Sequence, residues 1–118
     1  MAELNFTPEQ RAAIDTRGST VLVSAAAGSG KTRVLTERLM AYLTDAENPV
    51  DIDRFLVITY TRAAAAELRS RILDGIYARI ASDPENRRLR RQAALCAHAE
   101  IGTIHSFCAD FLRANCAA

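Results

Sequence analysis

The apolar run Val21-Leu22-Val23 passes through Ser24 into Ala25-Ala26-Ala27-Gly28-Ser29-Gly30, and then into Lys31-Thr32. This succession predicts a strand over about 20–24, a tight loop, and a helix starting near Lys31, which is an α/β arrangement. Successive backbone N–H groups in a loop of such small residues can close around phosphate oxygens. The dipole of the following helix turns its positive end towards the same charge. Lys31 is placed to reach β and γ phosphates, and Thr32 to offer its hydroxyl to a Mg²⁺ that bridges them. The commonest form of this motif opens with glycine where Ala25 stands, and alanine is small enough to leave the loop open.

At 118 residues the chain is the size of one domain, and its formal net charge of +1 supplies no global field towards nucleic acid or acidic lipid. Any such binding has to come from a local patch. No apolar run approaches the ~20 residues of a membrane span, and the N-terminus has no basic start, so the expected setting is cytoplasmic, without a membrane partner. The three cysteines, Cys96, Cys108 and Cys116, are an odd number in a helix-rich stretch, which argues against a disulfide framework. A zinc set of Cys96, His98, His105 and Cys108 is disfavoured, because residues two apart on a helix point to different faces.

Thr7-Pro8-Glu9-Gln10 opens a first helix with a threonine cap, proline at the first helical position and a glutamine placed to bond back to the cap; the helix is expected to end near Arg17-Gly18. After the phosphate loop, Val34, Leu35, Leu39, Tyr42 and Leu43 recur at helical spacing. Phe55 to Tyr60 is apolar at nearly every residue, as expected of a strand buried on both faces of a parallel sheet. A long helix follows, with Leu68, Ile72, Ile76 and Ile80 at every fourth residue. Ser82-Asp83-Pro84-Glu85 then breaks the chain and caps a further helix with serine or aspartate. A short strand around 101–103 leads to a last helix whose Ile104, Phe107, Cys108, Phe111 and Leu112 form an apolar stripe expected in the core. Strand-to-helix junctions therefore recur at Ala25–Thr32, Thr59–Arg62 and Thr103–Ser106, and in parallel α/β architecture all lie along the carboxyl rim of the sheet, where ligands bind. Arg87, Arg88, Arg90 and Arg91 form the densest basic run, read mainly as a solvated helix face.

Four segments now stand in series: Phe6-Thr7-Pro8-Glu9-Gln10, the phosphate loop, Val57 to Leu68 with its four alanines, and Gly102-Thr103-Ile104-His105-Ser106-Phe107-Cys108. In that order they resemble the first motifs of UvrD-like superfamily 1 DNA helicases, and within that family they are most similar to helicase–nuclease subunits of bacterial double-strand-break repair. The resemblance implies a P-loop NTPase fold with a RecA-like parallel sheet and flanking helices, incomplete, forming over 1–118 the N-terminal part of the first motor domain. It implies ATP and Mg as cofactors. The partners it implies are single-stranded DNA or DNA ends, together with the other subunit of a helicase–nuclease complex. Gln10 matches the glutamine that recognises the adenine edge, although completing the capping box explains it as well. Ala25, Ala26, Ala27, Gly28, Ser29, Gly30, Lys31, Thr32 and Arg33 match the nucleotide loop. Thr59, Tyr60, Thr61 and Arg62, with Thr103 and His105, match motifs that lie on single-stranded DNA, where hydroxyls and N–H groups meet phosphate and a ring stacks on a base.

Hydrolysis also needs a carboxylate for Mg²⁺, a residue that orients water and an arginine for the transition state. Asp51 and Asp53 precede an apolar strand rather than follow one, and Asp74 sits within a helix. The helicases it resembles place such acidic residues further downstream, so the resemblance implies an amino-terminal fragment, expected to be inactive alone. A phosphate loop also serves small-molecule kinases and non-catalytic nucleotide binders, so the alternatives are a metabolite kinase or a nucleotide-binding remnant.

Overall fold

The computed structural model describes residues 5–24 and 30–116. Helix α1 (Pro8–Asp15) is followed by α2 (Lys31–Leu43), a 3₁₀ turn (Ile52–Arg54), β1 (Leu56–Thr59), α3 (Arg62–Ser82), α4 (Arg87–Leu95), a second 3₁₀ turn (Cys96–His98), β2 (Glu100–Thr103) and α5 (Ile104–Asn115). The first helix starts as its sequence dictates. The Gln10 N–H donates to Thr7 Oγ1 at 3.2 Å, and the Thr7 N–H donates to Gln10 Oε1 at 2.9 Å. It ends at Asp15, two residues before the expected stop, and Arg17 and Arg38 hold its last turn. Arg38 donates to the carbonyls of Ala13 and Thr16, each at 2.7 Å, and Arg17 to that of Ile14 at 2.6 Å. Two guanidiniums at the negative end of a short helix satisfy carbonyls left without intrahelical donors.

The core lies between α2, α3 and the inner face of the sheet. Leu39, Met40 and Leu43 of α2 meet Leu68, Ile72 and Ile76 of α3, closed below by Ile52, Cys96, Ala99 and Ile101. The four-residue spacing read along α3 thus marks its buried stripe, with Ile80 packed at the margin. Arg69 of α3 donates to the carbonyls of Cys96 (2.5 Å), Ala99 (3.1 Å) and Ile101 (3.0 Å), tying the helix to the approach of β2.

Strands β1 and β2 pair in parallel, with Val57 opposite Ile101 and Thr59 opposite Thr103. Several expectations are corrected here. Residues 20–24 form no strand, and Leu22 is 91% exposed. Their apolar run has the composition of a strand but no paired neighbour among the described residues, and backbone in a sheet needs one. Strand β1 is not buried on both faces: Val57 turns to the core, whereas Leu56 and Ile58 are about half exposed. The stripe on α5 is not core either, since that helix has no buried residue and Phe111 and Leu112 are 55% and 66% exposed. In both cases the sequence records an apolar face correctly, but no described element covers it. The cap of α4 is Asn86, whose Oδ1 accepts the Leu89 N–H, rather than serine or aspartate. No helix among the described residues is long and apolar enough to cross a membrane.

Candidate functional site

Among the described residues, four of the five α-helices begin with a side-chain cap: Thr7 on α1, Thr61 on α3, Asn86 on α4 and Thr103 on α5. The exception is α2, whose N-cap is Gly30, at φ +87° in the left-handed region that glycine enters without strain. Its first-turn N–H groups receive no side-chain acceptor from the cap position, and Lys31, Thr32 and Arg33 are exposed around them. An uncapped helix start carrying a lysine suits a polyphosphate, which needs donors and positive charge together. Ala25, Ala26, Ala27, Gly28 and Ser29 lie outside the described residues.

Gln10 is close to this helix start: a Cβ added to Gly30 would lie 3.5 Å from Gln10 Nε2. Its Oε1 completes the capping box, while its Nε2 lies beside Gly30. Arg33 stacks on the Phe6 ring at 4.5 Å, and Arg11 lies over the same ring at 5.1 Å. Sequence reasoning gave Phe6 no role of its own. The ring brings the starts of α1 and α2 together, a contact whose only signal was its place beside the capping box.

The second and third junctions stand side by side, because the register sets Thr59 against Thr103 at the carboxyl ends of parallel strands. Their threonines are largely occupied. Thr59 Oγ1 donates to the Thr61 carbonyl at 3.0 Å and lies 3.5 Å from that of Gly102. Thr61 Oγ1 accepts the Ala64 N–H at 3.0 Å. Thr103 is buried, and its Oγ1 accepts the Ser106 N–H at 3.1 Å beside Ser106 Oγ. These hydroxyls organise the junctions. What points outwards is the fully exposed ring of Tyr60, the side chains of Arg62 and His105, and two adjacent helix starts. Helical geometry leaves the first N–H groups of α3 and α5 without intrahelical acceptors, so the pair makes a positive ledge suited to successive phosphates.

A recess of about 1280 Å³ lies elsewhere, between α1, α2 and α3, and the Glu37–Arg79 ion pair at 3.2 Å lines it. At the amino end of the sheet, Asp51 accepts from Arg88 Nη1 at 2.5 Å and from Gln92 Nε2 at 2.9 Å. The Arg88 guanidinium, followed by the Gln92 amide, holds the Asp51 carboxyl below its usual range. Arg88 therefore departs from the solvated-face reading of the arginine run.

Residues 6–118 match the family described as UvrD/REP helicase N-terminal domain. The chain belongs to that family. Among curated relatives of this UvrD/REP chain, the A subunit of the ATP-dependent helicase/nuclease from Clostridium acetobutylicum is 51% identical over 115 residues, covering 98% of this chain and 9% of that protein. The protein of the same name from Thermoanaerobacter sp. strain X514 is 56% identical over 110 residues, 93% of this chain and 9% of its own length. That of Clostridium beijerinckii is 50% identical over 115 residues, 98% and 9% respectively. The chain thus spans about 9% of the length of these relatives. The four motif segments read from the sequence all fall inside the matched region.

Proposed function

We propose that this chain is the ATP-binding front part of an ATP-dependent DNA helicase of the helicase/nuclease type, in a RecA-like P-loop fold. The observation that carries this reading is the uncapped start of α2 at Gly30, beside an exposed Lys31, where the other α-helices among the described residues all start with a side-chain cap. Lys31 and the backbone of the preceding loop hold the β and γ phosphates with Arg33 beside them, Thr32 faces Mg²⁺, and Gln10 meets the base. Bound Mg·ATP would supply the energy of phosphoanhydride cleavage in a longer protein with the carboxylates that hydrolysis requires.

Single-stranded DNA lies across the ledge formed by α3 and α5, with Tyr60 stacking on a base and Arg62, His105 and the helix starts meeting phosphate. In the whole protein, DNA ends and the other subunit of a helicase–nuclease complex complete the system. The nucleotide reading is tested by isothermal titration of Mg·ATP into the chain and into Lys31→Ala. The variant should lose detectable binding while its circular-dichroism spectrum stays the same, and retained affinity would count against the loop assignment.

A further inference from the structure

We propose that the exposed Arg54 and Arg91, with the charge of the Asp51-held Arg88 behind them, bind the phosphodiester backbone of duplex DNA at the end of the sheet opposite the threonine junctions. The Ile52–Arg54 turn precedes β1, so it sits at the amino end of the strands, whereas Thr59 and Thr103 end them. A recess of about 550 Å³ opens there between this turn and α4. Its cations outnumber the acceptors available to them. Asp51 serves two guanidiniums at once, Arg88 at 2.5 Å and Arg91 at 3.7 Å. Arg88 Nε and Nη2 have no hydrogen-bond partner among the described residues although both are buried. Arg54 has no ion-pair partner among the described residues, and Asp53 is the only other carboxylate lining the recess.

Three guanidiniums against two carboxylates leave a local positive excess that the chain's near-neutral total conceals. Arg91 is held loosely, and Arg88 is fixed in place by Asp51. Arg54 and Arg91 are the exposed guanidiniums of the recess, and the guanidinium fork matches phosphate oxygens. A peptide is the poorer fit. Pro49 and Val50 are the apolar residues of the lining, too little for the buried anchors on which peptide affinity depends, whereas a phosphodiester chain needs mainly charge. The site is independent of the nucleotide and single-strand readings, because it shares no residue with them.

The test is fluorescence anisotropy of a short labelled DNA duplex titrated with the 118-residue chain between about 50 and 200 mM salt. Arg88 is left intact because it holds Asp51. In Arg54→Gln/Arg91→Gln the loss of two phosphate contacts should lower the slope of log affinity against log salt by about 1.8. Asp53→Asn makes no packing change and removes a repulsive carboxylate, so it should tighten binding, and it keeps the proposal testable if the double variant does not fold. The proposal is overturned if the parent chain binds no duplex, if the folded double variant keeps its affinity and slope, or if Asp53→Asn fails to tighten binding. Displacement of the duplex by polyglutamate beyond the effect of its ionic strength would reassign the recess to an acidic protein segment, against the proposal.

Discussion

Gln92 Oε1 accepts the backbone N–H of Ile52 at 2.7 Å across 40 residues of sequence, and Gln92 is wholly buried. The contact satisfies a donor at the start of the 3₁₀ turn that has no acceptor within the turn, and it fixes α4 against the approach to β1. Replacing Gln92 with leucine strands that N–H in the core. The expected cost is about 1–3 kcal/mol, read as a lower urea midpoint with an unchanged m value. An unchanged midpoint would show that the turn finds another acceptor.

Asp51 carries a pH dependence of definite sign. Its carboxyl is lowered first by the hydrogen bond from Arg88 and then by that from Gln92. A group lowered in the folded state contributes stability that is fully present above the ordinary carboxylate value and is lost as pH falls from there through the folded value. The parent chain should therefore melt higher than Asp51→Asn at neutral pH, and the gap should shrink as pH drops below about 4. A gap independent of pH would mean that the carboxylate charge contributes nothing.

Tyr60 and Thr103 should separate binding from stability. The Tyr60 ring is fully exposed, so Tyr60→Ala should leave the melting temperature unchanged and weaken single-stranded DNA binding, by about 1–3 kcal/mol if one base stacks there. Thr103→Ala removes the α5 cap and should cost about 1 kcal/mol of stability. Equal effects of both substitutions on melting would place Tyr60 in a structural role.

Local rules made the helices legible. The capping box at Thr7 and Gln10 and the isoleucine spacing along α3 both depend on residues three or four apart, where side-chain geometry fixes the outcome. The exposed faces of β1 and α5 were misplaced for the opposite reason: an apolar stripe encodes that a surface is to be covered, but not what covers it. Gln92 and Asp51 were missed because they meet Ile52 and Arg88 only through folding, across 40 and 37 residues. The threonines were assigned to the ends of the strands by position, but their hydroxyls are engaged within the junctions, which only coordinates could reveal.

Arg69 has a bearing on assembly. Ala99 and Ile101 present their carbonyls along one border of β2, and a single guanidinium occupies both, while the Gly102 carbonyl faces Thr59 on the other side. That border is closed to strand addition by a cation. Among the described residues, no guanidinium bonds to the other border, that of Leu56–Thr59, which is flanked by a groove lined by Leu35, Arg38, Leu39, Tyr42 and Phe55. Among the described residues the cation leaves the backbone of Leu56–Thr59 as the border at which a further strand, or an intruding chain, finds its template.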